Sequence, residues 1–234
     1  MRSVRRLPAL RARRRRGRNC AGLTRQPEAN RPAEARSRRA ILDHEGEFAV
    51  DLGDEQAVRQ VAERLGPRDV LVHAAAAFDR ASLADLDLAT WRRVQAVNVE
   101  SALWLCQALT PAMSARGFGR VIFIASNTVW RPPAADFLPY VVSKAAPVGV
   151  ARSLAKPLGQ HGITVNCVAP GLTRTPFTES DLPPQAFEEV RVRQAIPRTL
   201  VPEDTAALVA FLASDAAGAI TGQTLVADGG SILH

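Results

Sequence analysis

"DVLVHAA" (69–75) is an almost unbroken apolar run of strand length. Such a run fits a parallel strand covered on both faces, because an antiparallel surface strand alternates apolar with polar. Its neighbours extend the reading. Ahead of it, "EFAVDL" (47–52) is a short strand, and "DEQAVRQVAERLG" (54–66) is a helix with an acidic start and a glycine stop. Behind it come a helical pattern over 91–117, the strand "RVIFIAS" (120–126), a helix near 140–160 and the strand "GITVNCVAP" (162–170). The helix "PEDTAALVAFLAS" (202–214) and the strand "QTLVADGG" (223–230) close the pattern. Strand and helix alternate, with connections long enough for crossovers. This predicts an α/β fold with a Rossmann-like, doubly wound parallel sheet. Residues 171–200, with several prolines, interrupt the alternation and are expected to form a flap. Phe177, Leu182 and Phe187 give that flap an apolar character.

With 234 residues and 47% hydrophobic content, the chain suits one well-packed domain. The net charge of +7 suggests a binder of nucleic acid or anionic surfaces until the charge is located. Residues 1–40 hold fourteen arginines against Glu28 and Glu34, a local excess of +12, so residues 41–234 carry 7 − 12 = −5. The basic signal belongs to the leader alone. No aromatic residue is interleaved to stack on bases, so nucleic acid is not an expected partner. No stretch has the length of a membrane span, and no apolar segment follows the arginines as in a secretory signal. Cys20, Cys106 and Cys167 are too scattered for a disulfide framework or metal cluster, which favours a reducing cytoplasm and no metal.

The chemistry concentrates in "YVVSK" (140–144). Tyr140 and Lys144 lie four apart and share one face of a helix. Tyr140 is the sole tyrosine, and Lys144 is one of two lysines in a chain that otherwise uses arginine. An ammonium nearby stabilises phenolate and draws the tyrosine pKa down from about 10, giving a proton donor or acceptor for a carbonyl or alcohol oxygen. On spacing alone, an exposed i,i+4 surface pair is the commoner outcome. Ser126 ends an apolar strand at the carboxyl edge, where open parallel sheets place ligands; it either bonds the reacting oxygen or merely starts a turn. Asn98 interrupts an apolar helix. Its amide satisfies a backbone carbonyl at a kink, or holds a water in a proton path, or does both.

Residues 45–234, about four-fifths of the chain, resemble the short-chain dehydrogenase/reductase family, closest to its members similar to 3-oxoacyl-carrier-protein reductases. The pieces occur in the family's order: "VDLGD" (50–54), "DVLVHAAA" (69–76), "VNVES" (97–101), "VIFIAS" (121–126), "YVVSK" (140–144), "ITVNCVAPGLTRT" (163–175) and "ITGQTLVADGG" (220–230). The resemblance implies an oxidoreductase that interconverts a carbonyl and a secondary alcohol with NAD or NADP. Tyr140 would be the general acid/base. Lys144 would lower its pKa and hold the nicotinamide ribose, Ser126 would polarise the substrate oxygen, and Asn98 would anchor a water relay. Asp51 and Leu52 would contact the adenine side, where a strand-end turn is the plainer role for Asp51. Pro170, Gly171, Thr173 and Thr175 would form the turn under the nicotinamide.

The family's Asn-Asn-Ala-Gly appears here as His73, Ala74, Ala75 and Ala76. Cofactor contacts at Ala74 and Ala75 therefore lack the asparagine amides, and His73 reads as a strand-end histidine, not a catalyst. The serine–tyrosine spacing is one residue longer than usual, and Pro147 is expected to bend the helix of Tyr140. The resemblance also implies a homodimer or homotetramer, formed by the helices around Trp104 and Tyr140.

The family opens with a strand and Thr-Gly-x-x-x-Gly-x-Gly, whose backbone amides cradle the pyrophosphate. Residues 1–44 contain neither, and Gly17 and Gly22 lack its spacing. The sheet is expected to lack its first strand–helix–strand unit, and 1–44 to be an atypical, disordered leader before a single domain over 45–234. That would leave the edges of "EFAVDL" and "DVLVHAA" unpaired. Replacement at nearly equal length by Arg, Pro and Ala suggests another reading frame of GC-rich DNA, with a transit peptide or a basic arm as alternatives. A non-catalytic relic that serves as an oligomer partner is the competing functional expectation.

Overall fold

The computed structural model describes residues 20–23, 38–43 and 46–233. Seven strands form one sheet: β1 (Cys20–Leu23), β2 (Arg38–Asp43), β3 (Gly46–Asp51), β4 (Val70–His73), β5 (Gly119–Ile124), β6 (Ile163–Pro170) and β7 (Thr224–Ala227). Their spatial order is β3-β2-β1-β4-β5-β6-β7. From β1 through β4, β5 and β6 to β7 every neighbour is parallel. The helices are α1 (Glu55–Leu65), α2 (Leu88–Gln95), α3 (Ser101–Arg116), α4 (Leu138–Gly159), α5 (Pro176–Asp181), α6 (Pro184–Arg191) and α7 (Pro202–Ala213).

Period-2 alternation distributes the central strands between two cores. Val121 and Phe123 of β5, with Val165 and Cys167 of β6, pack with residues of α1, α3 and α4. Ile122 and Val168 face the opposite layer, which holds Leu212 of α7. Burying a side chain such as Phe123 contributes on the order of 2 kcal/mol. Because both faces are covered, the strand interiors carry apolar residues at successive positions.

The expected unit at 54–66 has its caps where the sequence puts them. Asp54 accepts the Ala57 N–H at 3.1 Å, and Gly66 leaves the helix at φ 65°, a conformation that disfavours any Cβ. The single long helix expected over 91–117 is instead α2, a π-helical turn (Ala96–Glu100) and α3. The widened turn falls at Asn98, whose amide is drawn to partners outside the helix. Pro147 does not interrupt α4, which runs on through it; its carbonyl accepts the Cys167 Sγ–H at 3.3 Å.

The strand edges expected to be unpaired are both paired. β4 is flanked in parallel by β1, and β3 is flanked antiparallel by β2. Any short extended segment can complete such a ladder, since its donors and acceptors are backbone groups. β1 and β2 run antiparallel, so they do not form the parallel strand–helix–strand unit of a Rossmann half. Residues 1–19, 24–37, 44, 45 and 234 lie outside the described residues, and with them most of the leader.

Candidate active site

The carboxyl end of β5 meets the first turns of α4, where the Lys144 ammonium donates to the Ile124 carbonyl. Ser126 follows β5 directly and caps a short 3-10 turn, Asn127–Val129. Its Oγ accepts hydrogen bonds from the Thr128 N–H at 3.2 Å and the Thr128 hydroxyl at 3.0 Å. A hydroxyl has two acceptor positions and one proton. Both acceptor positions are thus filled, and the Ser126 proton is left to be donated elsewhere; the hydroxyl is close enough to Tyr140 to favour its phenolate form.

Burial pushes the Tyr140 phenol above its ordinary value, and the Ser126 hydrogen bond opposes that rise. The depression expected from Lys144 does not dominate. The Lys144 ammonium is buried, sits 5.9 Å from the centre of the tyrosine ring, and donates to the Ile124 carbonyl at 2.8 Å. Tyr140, Lys144 and Ser126 are nevertheless brought together at one sheet edge.

Asn98 is the tie between elements. Its Oδ1 accepts the Ala77 N–H at 2.6 Å, while Nδ2 donates to the Ala77 carbonyl at 2.9 Å and to Ser143 Oγ at 2.8 Å. Ser143 Oγ donates in turn to the Tyr140 carbonyl at 2.7 Å. One buried amide thereby fastens the loop after β4 and the first turn of α4 to the π turn. The amide thus satisfies a backbone carbonyl at a widened turn, as one of the sequence readings has it.

The expected adenine-side residues are separate from this cluster. Asp51 ends β3, with β2, β1 and β4 between it and β5, and accepts the Gly53 N–H at 2.9 Å in a strand-end turn. Leu52 is fully buried in the core. Ala74 and Ala75 follow β4, and Ala75 is itself buried in the core. Pro170 ends β6, and Gly171 packs so closely on the β7 end that a Cβ would lie 2.8 Å from Asp228 Cβ. Thr173 donates to the Gly171 carbonyl at 3.0 Å, and Thr175 caps α5 by accepting the Thr178 N–H at 3.2 Å. His73 is buried, as a strand-end residue; its Nε2 lies 2.8 Å from Ser101 Oγ, which donates to the Val97 carbonyl. Desolvation lowers its pKa to about 3, with the Lys144 charge assisting, so the ring is neutral.

Sequence reasoning missed three contributors. Buried Asp228 accepts from the backbone of Gly230, Ser231 and Ile232 and from Asn127 Nδ2 at 3.1 Å, locking the β7 end to the turn after Ser126. Ser143 lies inside the "YVVSK" match and passes as filler there. Phe78 packs edge-to-face on Tyr140, with ring centres 5.0 Å apart. An adjacent acidic residue and glycine pair, "DGG", was the available hint for Asp228 alone.

The family model described as enoyl-(acyl carrier protein) reductase matches residues 12–231, a span that starts well before the resemblance at residue 45. The chain belongs to the short-chain dehydrogenase/reductase family. It is an oxidoreductase of that family, whose members work with NAD or NADP. It is similar to D-xylose 1-dehydrogenase of Caulobacter vibrioides, with 38% identity over 77% of this chain and 72% of that one. It is also similar to dehydrogenase/reductase SDR family member 4 of Bos taurus, with 36% identity over 77% of this chain and 65% of that one. Among solved structures, a blue fluorescent protein from a metagenomic library in complex with NADPH superposes at a TM-score of 0.72, with 33% identity over 79% of this chain and 74% of that chain. No helix among the described residues of this dehydrogenase/reductase is long and apolar enough to cross a membrane.

For a nicotinamide dinucleotide, the donor set at one end fits: an ammonium and a phenol, Lys144 and Tyr140, lie four residues apart on one face of α4. At the pyrophosphate end, Gly22 lies inside strand β1 and is not the start of a phosphate turn. The residues that follow it, 24–37, lie outside the described residues.

Proposed function

We propose that this chain interconverts a carbonyl and a secondary alcohol, with Tyr140 as the general acid/base. The observation that carries the reading is the grouping of Ser126, Tyr140 and Lys144: Thr128 fills the acceptor positions of Ser126 and so leaves it to donate, and the Lys144 ammonium lies 5.9 Å from the centre of the Tyr140 ring. A hydroxyl so constrained can give its one proton to a substrate oxygen placed between Ser126 and Tyr140. In the reducing direction Tyr140 Oη gives its proton to that oxygen as the carbon–oxygen double bond opens; in the oxidising direction it takes the proton back. A bound nicotinamide supplies or accepts the hydride at the substrate carbon. Lys144 is positioned to hold the ribose and to stabilise phenolate once substrate and cofactor exclude water. Asn98 and Ser143 hold the first turn of α4 at the height this transfer needs. General acid/base positioning of this kind contributes about 100- to 10,000-fold in rate. Thr173 and Thr175 are proposed to contact the nicotinamide end, and Asp51 with Leu52 the adenine end.

The test is turnover of NADH and NADPH with a panel of ketones and aldehydes, comparing the full chain with Tyr140→Phe. Loss of turnover in a folded variant supports the reading; unchanged turnover overturns it.

A second reading, a cofactor-impaired relic acting as an oligomer partner, is favoured by one observation: β1 and β2 are antiparallel, and Gly22 is strand, where a working member has a glycine-rich turn. Losing backbone contacts to pyrophosphate would weaken binding by several kcal/mol, at about 1 kcal/mol or more each. Micromolar binding of NADH or NADPH by this chain would exclude it. Under either reading, association as a homodimer or homotetramer through α3 and α4 is proposed, supported by the half-buried Trp104 on α3. A cytoplasmic location is proposed from the free, buried Cys106 and Cys167.

A further inference from the structure

Four aromatic rings from different segments meet beside the proposed proton donor. Phe78 comes from the loop after β4, Phe137 from the 3-10 turn preceding α4, Phe177 from flap helix α5, and Tyr140 from α4. Phe78 is the hub. It stands edge-to-face to Tyr140, Phe137 and Phe177, with centres 5.0, 5.4 and 5.6 Å away. All four residues are half-buried, not core residues, so the cluster presents apolar aromatic area to whatever approaches Tyr140. Phe78 is also fixed in place, because the residue before it, Ala77, has both backbone groups held by Asn98. A wall held this rigidly is suited to choosing a substituent.

The rim adds a charge argument. Arg80 stacks over Phe137 at 4.6 Å and pairs with Asp136 at 3.5 Å and with Asp181, at the end of α5, at 3.4 Å. Two carboxylates against one guanidinium give this rim no surplus positive charge for an anionic substrate. They also fasten the flap over the aromatic group.

We propose, resting on the reading of Tyr140 above, that Phe78 is a specificity-determining residue, and that the substrate is an uncharged ketone or secondary alcohol with an aromatic or branched apolar substituent next to the reacting carbon. That substituent packs on Phe78 and Phe177 while its oxygen lies between Ser126 and Tyr140. A keto acid anion meets no surplus positive charge on the Arg80 rim.

The experiment compares the full chain with Phe78→Ala and Phe78→Leu on three substrates: an aryl alkyl ketone, a small aliphatic ketone and a neutral sugar. Binding of the corresponding aryl alcohol and of the sugar is measured in parallel by equilibrium dialysis. The expected result is a preference of the full chain for the aryl ketone. In Phe78→Ala the ratio of aryl-ketone to small-ketone turnover falls about tenfold, mainly through the KM for the aryl ketone, as an aromatic contact of this kind permits. Phe78→Leu keeps the fold and an intermediate preference. Turnover without an aryl preference, or an equal fall on all three substrates, overturns the proposal and leaves Tyr140 standing. Phe78-dependent binding of the aryl alcohol without turnover upholds the apolar site and overturns the catalytic reading. Failure of both variants to bind differently from the full chain overturns the role of Phe78.

Discussion

Asn98 Nδ2 donates to Ser143 Oγ at 2.8 Å, and through Ser143 the asparagine reaches the backbone of Tyr140. The position of the proposed proton donor therefore depends on an amide carried by the π turn between α2 and α3. Replacing Asn98 with Ala would orphan the Ala77 N–H and carbonyl and unlatch α4. A loss of about 2–4 kcal/mol is expected, at about 1–3 kcal/mol per buried group left unmade. Urea unfolding followed by circular dichroism checks this, and a change below half a kcal/mol would show the tie to be dispensable.

Tyr140→Phe removes one oxygen and keeps the ring that packs on Phe78. Its unfolding midpoint should stay within a few degrees of the parent, while turnover falls about 100- to 10,000-fold. Equal losses in stability and rate would mean that the hydroxyl acts through the fold, not through the proton.

His73 gives a pH signature. Its folded pKa, about 3, lies below the ordinary imidazole value near 6.5, so the unfolded chain binds the extra proton. This contribution is complete above about pH 6.5 and is lost as pH falls towards 3, at up to about 1.4 kcal/mol per pH unit. His73→Asn, which can still reach Ser101, should flatten the stability curve between pH 6.5 and 4 relative to the parent. Parallel curves would refute the assignment.

Gly171→Ala drives a methyl group to 2.8 Å from Asp228 Cβ and 3.0 Å from its Cα, and backbone cannot swing aside. A cost of about 1–3 kcal/mol is expected, with displacement of the turn carrying Thr173 and a rise in KM for the nicotinamide. An unchanged thermal midpoint would be inconsistent with this packing.

Burial pushes the Cys106 and Cys167 thiols up to about 12. Since the thiolate is the nucleophile, iodoacetamide should label both at least roughly a thousandfold more slowly in the native protein than in denaturant. Peptide mass spectrometry reads each site separately, and rapid native labelling of either would place it at the surface.

Much of this protein is legible in its sequence. The alternation from 47 to 230, the Asp54 and Gly66 caps and the grouping of Ser126, Tyr140 and Lys144 at strand and helix ends all follow from local signals: period, cap chemistry and i,i+4 spacing. Three features were decided only by the assembled fold. Asn98 is a tie between elements, because Ala77 and Ser143, 21 residues before it and 45 after, meet it across the sheet edge. Tyr140 is pushed up instead of down, because burial outweighs the opposing effect of the Ser126 hydroxyl. The edges of β3 and β4 are paired by Arg38–Asp43 and Cys20–Leu23, segments whose side chains give no strand signal. Local propensity is written in the order of residues. Desolvation, long-range hydrogen bonds and backbone pairing depend on which distant groups arrive together, and only the tertiary structure fixes that.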